Sequence, residues 1–264
     1  MLLFWRRFRA EASSLAAWSL GIGATGLGVA AFTLLAGNLR ENAQVVEEFL
    51  TKMPIFAQML GGVAVSAHAP SAIAQSLVFT TIAPILLLIY TSLAVLGIFT
   101  RDASQGNLEF LLALPVRRSA WVVSRGLVFL VNLGILQAAL VLGVAAGLRM
   151  AGEPADLAVL TKLALNLYAL FACLGGLGFL ISLFLNDYTR GLVLILGLQF
   201  GLFVLNIATE DRPWAAAALN PYHYYRGAQM LGRGGFPTGD VLLLAVLALA
   251  FWAAGTWQYT RKQI

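Results

Sequence analysis

Apolar residues run in six long blocks along this chain, and most charged residues fall in the shorter stretches between them. The blocks cover about residues 15–37, 74–99, 121–148, 158–185, 191–208 and 240–258. A helix needs about 20 apolar residues to cross the ~30 Å hydrocarbon core of a bilayer. Because backbone groups in lipid must pair within their own segment, the blocks predict membrane-spanning helices. None shows the ten-residue alternation of a barrel strand.

Composition supports the same fold class. Hydrophobic residues make up 60% of the 264 positions and charged residues 11%, with a mean hydropathy of +0.83. A soluble domain carries about a quarter charged residues, so this chain has too few polar side chains to cover a globule in water. We therefore predict an all-α polytopic membrane protein with six transmembrane helices in a single transmembrane domain, residues 1–264.

Four segments lie outside the predicted spans. In residues 1–14, arginines alternate with bulky apolar side chains, which predicts an amphipathic elbow helix in the membrane interface. Residues 38–72 predict an outer amphipathic segment, and residues 100–120 a cytoplasmic loop. Residues 209–239 form an aromatic-rich outer loop that is expected to dip into the interface. The apolar run after the first arginines is too long for a signal peptide, so we expect it to be retained.

The net charge of +5 and the pI near 9.7 bear on topology rather than on nucleic acid. Lysine and arginine gather near the ends of the spans, and cytoplasmic loops carry the excess of them. Arg6, Arg7 and Arg9 precede the first span, and Arg261 and Lys262 follow the last. This pattern predicts a multi-pass protein of the cell membrane with both termini in the cytoplasm.

The sequence offers no catalytic or metal site. His68 and His223 lie far apart, without a second ligand at a recognised metal spacing. A phosphate-binding loop requires Gly-Lys-Ser/Thr, and none of Lys52, Lys162 and Lys262 follows a glycine. We expect no enzyme activity, metal or cofactor in this chain itself, so that any energy for work comes from another chain.

The predicted spans are nearly free of charge, and several neutral amides lie within them. Ion-coupled transporters and proton relays normally hold buried charged residues near mid-membrane, so secondary transport of that kind is disfavoured. The amides suit two roles, hydrogen bonding between helices or contact with a substrate, and the sequence leaves both open. The candidates for a substrate pathway are Asn132, Asn166, Gln199 and Asn206.

The cytoplasmic loop holds the most informative motif. Residues 102–119 read DASQGNLEFLLALPVRRS. Asp102 or Ser104 can cap a short helix that Pro115 ends. That helix would expose an apolar surface around Glu109 unless the bundle, lipid headgroups or a partner covered it. The order of Gly, Leu-Glu, an apolar stretch, Leu-Pro and a basic-Ser pair resembles the coupling helix of type-2 family ABC transporter permeases, which docks on an ATPase subunit.

This resemblance extends to the six spans, the elbow helix and the outer loop, where that family places re-entrant helices before the last span. The stretch from Leu219 to Gly227 is similar to a Pro-aromatic pattern in permeases of gliding motility and nitrous-oxide-reductase maturation. In the family the first, second and fifth spans face the substrate route or the dimer interface. The resemblance implies ATPase-coupling roles for Asp102, Gly106, Leu108, Glu109, Phe110, Leu112, Pro115 and Arg117.

The resemblance also implies partners. Two ABC ATPase subunits would bind ATP and magnesium, and a second permease copy, identical or a paralogue, would complete the pathway within membrane lipid. No nucleic acid is expected. Two other classes stay open: a membrane scaffold or assembly factor, and an ATP-independent channel or secondary transporter.

Overall fold

The computed structural model describes residues 2–37, 52, 74–98, 100, 118–185, 187–209, 218–227, 230–231 and 235–261. Over these ranges the chain is helical and contains no strand. Six of its helices are long and apolar enough to cross a membrane, which confirms the predicted fold class and number of spans. The long helices are α1 (Leu2–Gly37), α2 (Ala83–Leu96, preceded by a π-helix, Leu77–Ile82), α3 (Arg118–Met150), α4 (Leu157–Ser182), α5 (Tyr188–Thr209) and α6 (Thr238–Arg261).

The first span begins earlier than the apolar pattern predicts. Helix α1 runs without interruption through the predicted boundary near residue 14. The segment contains no proline, and the alanines on either side of Ser13 and Ser14 favour helix. Within the described chain, the amphipathic start and the span are therefore one helix, and an elbow at the membrane interface stays a prediction.

Contacts between helix ends define the two ends of the bundle. Arg7 near the start of α1 reaches Gly97 after α2, and Thr100 reaches Ser182 at the end of α4. Trp121 near the start of α3 stacks on Tyr259 near the end of α6. We call this the Gly97 end, and the opposite end of α3 the Met150 end.

Helix α4 lies at the centre of the bundle. In the most apolar stretch of α4, 72% of the residues are buried, whereas 17% are buried in the corresponding stretch of α6. Trp252 of α6 packs between Phe129 of α3 and Phe179 of α4, with ring centroids 5.8 and 5.1 Å away. A Cβ at Gly176 would come within 2.9 Å of the Trp252 indole, so the absence of a side chain there makes room for the ring.

Helices α1 and α3 approach each other at the backbone. A Cβ added at Gly26 would clash with the backbone of Gly143 and Val144, and one at Gly143 would clash with the Gly23 carbonyl. Small residues allow this kind of approach between membrane helices.

A tyrosine fixes the loop before α6 to the start of the second span. In the π-helix the Ala83 N–H donates to the Val78 carbonyl. The next bond of that pattern would come from residue 84, but Pro84 has no N–H to give to the Phe79 carbonyl. The Tyr225 hydroxyl donates to this carbonyl instead, at 2.7 Å.

The Pro-aromatic stretch around this tyrosine packs into the bundle. Asn220 donates to the Leu202 carbonyl at 2.8 Å and accepts from the Tyr222 N–H at 3.1 Å, at the start of the 3-10 helix Pro221–Tyr224. The Tyr222 ring lies against Phe171 and Phe203. Burial raises the pKa of both Tyr222 and Tyr225 above the usual tyrosine value. How this stretch lies relative to the membrane stays a prediction. Residues 210–217, 228–229 and 232–234 of the predicted outer loop lie outside the described residues, as do residues 38–51 and 53–72 of the predicted outer amphipathic segment.

Candidate functional site

Two arginines from different helices bind the carbonyls that follow α2. Arg7 of α1 donates to the Gly97 carbonyl at 3.2 Å. Arg125 of α3 donates to the same carbonyl at 3.1 Å and to the Ile98 carbonyl at 2.8 Å. The last carbonyls of a helix have no intrahelical partner and carry partial negative charge, so guanidinium groups suit them. The end of α2 is thereby fixed to both α1 and α3.

The Arg125 side chain is itself held in place. Its guanidinium carbon lies 3.9 Å from the ring centroid of Trp121, one turn earlier on α3. A cation over an indole face is favourable, more so when water is excluded. Since Trp121 stacks on Tyr259, the arginine contact extends to α6.

An ion pair lies beside these arginines. Arg7 Nε and Glu11 Oε1 are 2.6 Å apart, with about a quarter to a third of each side chain exposed (26% and 31%). The other Glu11 oxygen accepts a hydrogen bond from Asn132 Nδ2 at 2.9 Å, which joins α1 to α3. Asn132 is 2% exposed, and its Oδ1 has no hydrogen-bond partner in the described part of the chain.

These side chains border a cavity of about 320 Å³ between α1, α2, α3 and the first residue of α5. Its wall combines polar groups with aromatic rings, and Trp18 meets Tyr90 edge-on at 5.6 Å. The partly exposed Arg7 and Glu11 side chains place it within reach of the surface. The lining residues used below are Arg7, Glu11, Trp18, Tyr90, Asn132 and Tyr188.

The same end of the bundle holds both ends of the segment 101–117. Before it, Gly97 and Ile98 bind the two arginines, and the buried Thr100 hydroxyl donates to the Ser182 carbonyl of α4 at 3.2 Å. After it, α3 begins at Arg118. The predicted coupling residues Asp102, Gly106, Leu108, Glu109, Phe110, Leu112, Pro115 and Arg117 all lie outside the described residues.

The four amides predicted for a substrate pathway occupy different surroundings. Asn132 borders the cavity, whereas buried Asn166 donates to Met230 Sδ at 3.6 Å. Buried Gln199 lies against Gly178 of α4, because a Cβ built at that glycine would be 3.5 Å from Gln199 Nε2. Asn206 is half-buried near the end of α5. Of the four, the structure associates Asn132 with a polar cavity.

Sequence reasoning missed the charged part of this site. It assigned Arg7 to topology alone and gave Glu11 and Arg125 no role in a site. The four-residue spacing of Arg7 and Glu11 is the spacing of an ion pair on one helical face and was a usable signal. Arg125 was a second signal, because it is the eighth residue of a largely apolar helix.

Six helices long and apolar enough to cross a bilayer define a multi-pass membrane protein, with a polar, aromatic-lined cavity between α1, α2 and α3. Residues 3–260 match the family model described as "Multidrug efflux system permease Rv1217c, C-terminal domain". The chain therefore belongs to this permease family and is a transporter permease subunit. None of the curated proteins and none of the solved structures matches the chain.

Proposed function

We propose that this chain is the permease subunit of a type-2 family ABC exporter, driven by ATP that two separate ATPase subunits bind with magnesium and hydrolyse. The family description names multidrug efflux, which supports small organic compounds as the cargo. In this proposal the Gly97 end faces the cytoplasm, as the arginine-rich N-terminus indicates.

The observation that carries the proposal is the anchoring of the segment 101–117. Its first end is bonded to α1 and α3 through the two arginines and to α4 through Thr100. A force applied to this segment would therefore act on α1, α3 and α4 as well as on α2, which precedes it. That is the mechanical property a coupling element requires, and the sequence of the segment resembles the family's coupling helix.

The anchoring also links the segment to the cavity. Gly97 and Arg7 belong both to the anchored helix end and to the cavity wall. A displacement of the helix end would change the distance between Arg7 and the α2 side of the cavity. ATP-driven movement at the loop would in this way reach the place where cargo is held.

Contact with the ATPase is assigned to the motif itself. We propose that Asp102, Glu109 and Arg117 make charged contacts with the ATPase, while Leu108, Phe110 and Leu112 provide the buried apolar area. Gly106 and Pro115 would set the ends of the short helix.

A second permease copy is part of the proposal. No described atom lies near the position of a Cβ at Gly197 or Gly201 of α5. Phe200 between them is half exposed. Small residues on an exposed apolar face suit close approach of another membrane helix, which supports α5 as a contact between copies.

The proposal is tested by replacing one acidic and one apolar residue of the motif with arginine. We expect the double variant Glu109→Arg with Leu112→Arg to lose stimulation of ATP hydrolysis by the ATPase that copurifies with the wild-type permease. Thermal unfolding of the permease should not change, because the same variant leaves the anchoring contacts intact. The measurement is ATP hydrolysis by the ATPase with wild-type or variant permease in liposomes.

A matched control places the same substitutions at the Met150 end. Glu153 lies between α3 and α4, and the exposed Leu157 is the first residue of α4. Helix α3 spans about 50 Å at 1.5 Å per residue. Glu153→Arg with Leu157→Arg should retain stimulation. Full stimulation by the Glu109 and Leu112 variant, or the absence of any ATP-hydrolysing copurifying subunit, would contradict the proposal and favour a scaffold or an ATP-independent transporter.

A further inference from the structure

The polar and aromatic groups that border the cavity between α1, α2 and α3 favour one kind of ligand. We propose that it binds an organic ammonium ion, a protonated amine attached to an apolar or aromatic body. The inference rests on the proposed function in treating this ligand as cargo of the permease, whereas the binding itself is argued from the cavity alone.

Arg7 and Asn132, which border the cavity, direct donors to groups of the protein. Arg7 uses Nε for Glu11 and Nη2 for the Gly97 carbonyl. Asn132 uses its Nδ2 for Glu11. These three donor atoms are therefore engaged before any ligand enters.

The acceptors, in contrast, have capacity left. Asn132 Oδ1 has no partner among the described residues although the side chain is 2% exposed. An ionised carboxylate accepts about four hydrogen bonds, and Glu11 is seen to accept from two groups. A buried carbonyl without a donor is costly. A ligand with N–H donors would give Asn132 Oδ1 a hydrogen-bond partner and add hydrogen bonds to the Glu11 carboxylate.

The aromatic part of the wall favours the same ligand. Trp18, Tyr90 and Tyr188 border the cavity beside Glu11. The faces of such rings attract cations, and Trp does so most strongly. The neighbouring Leu15 and Leu93 give an apolar surface for the body of the ligand. At about 320 Å³ the cavity is near the lower limit of drug-sized pockets, so a compact one- or two-ring amine fits best.

The charged groups at the cavity disfavour an anionic ligand. The formal charges of Arg7 and Glu11 cancel, and the Arg7 donors named above point to groups of the protein. An anion would meet the Glu11 carboxylate, and the Arg7 guanidinium beside it is already paired with that carboxylate. An ammonium ion would gain Glu11 as counter-ion, and a charge taken from water needs such a partner.

An ammonium group could reach the cavity from two sources. One is a soluble amine, and the other is the headgroup of phosphatidylethanolamine in the surrounding bilayer. The chemistry recognised is the same in both cases, so the experiment separates them by lipid composition.

The test measures equilibrium binding to the full-length chain in phosphatidylcholine nanodiscs, after subtraction of empty discs. The probe is radiolabelled propranolol, a naphthyl ether with a secondary amine, and 1-naphthoxyacetic acid is its carboxylate counterpart. We expect saturable binding of the amine and not of the acid. Glu11→Gln should weaken amine binding about tenfold, the loss of one charge-assisted contact. Glu153→Gln, the same change outside the cavity, should leave it unaltered.

A second variant guards against loss of the fold. Trp18→Leu removes a ring from the cavity and leaves the Arg7–Glu11 pair in place, and it should also weaken binding while thermal unfolding stays close to wild type. Replacing part of the phosphatidylcholine with phosphatidylethanolamine should reduce propranolol binding if the headgroup is the natural ligand. Undiminished binding in those discs assigns the site to soluble amines.

Wild-type affinity in both the Glu11→Gln and Trp18→Leu variants, or equal affinity for the acid, would overturn the inference. The assay contains no ATPase, so its outcome is separable from that of the proposed function. Glu11-dependent binding without ATP-driven transport would refute the exporter and keep the site. ATP-driven transport without Glu11-dependent binding would do the reverse.

Discussion

At the scale of single residues, the second span shows how a distant side chain completes a helix. Pro84 withholds the N–H that the π-helix would otherwise give to the Phe79 carbonyl, and the Tyr225 hydroxyl takes its place. The sequence displays both Pro84 and Tyr225 but not their connection, because the bonded residues are 146 positions apart. The same holds for Arg7 and Arg125, whose shared acceptor at Gly97 only the fold reveals.

The tyrosine contact yields a prediction with a neighbouring control. Tyr225→Phe leaves the Phe79 carbonyl without its donor, and we expect it to lower the free energy of unfolding by about 1–2 kcal/mol. Tyr224→Phe removes a hydroxyl that donates to the Ala218 carbonyl at an exposed position, where water can replace it. Thermal unfolding in detergent should separate the two variants, and equal effects would show that the Phe79 contact is not special.

At the scale of elements, hydropathy predicted the spans well because the bilayer imposes their length and apolar character. It did not predict which face of each helix meets a neighbour. Gly26 and Gly28 look equivalent in the sequence, yet their directions around α1 differ by about 160°. Gly26 touches the backbone of α3, whereas no described atom lies near a Cβ at Gly28.

This difference predicts opposite effects of one substitution. Gly26→Ala should destabilise the protein by about 1–3 kcal/mol, because neither backbone can move without separating the helices. Gly28→Ala should be neutral or slightly stabilising, since alanine favours helix over glycine by up to about 1 kcal/mol. The midpoint of thermal unfolding measures both. Shifts of the same sign and size would contradict the observed packing of α1 on α3.

At the scale of the whole molecule, the predicted architecture of six spans is confirmed, and the family match establishes a permease subunit. The cavity was beyond sequence reasoning, since its wall draws on α1, α2, α3 and α5 and needs their packing. The coupling motif, in contrast, was found in the sequence, and its residues lie outside the described part of the chain. The ATPase contact therefore stays a prediction, which the anchoring of the flanking residues supports.

The proposed exporter function requires ATP-driven movement of cargo through this chain. The direct measurement is uptake of ethidium into inside-out proteoliposomes that contain DNA, the permease and its copurified ATPase. We expect ethidium fluorescence to rise only when ATP, magnesium and both proteins are present. Uptake that is the same with and without ATP, or that the permease supports alone, would contradict an ATP-driven exporter.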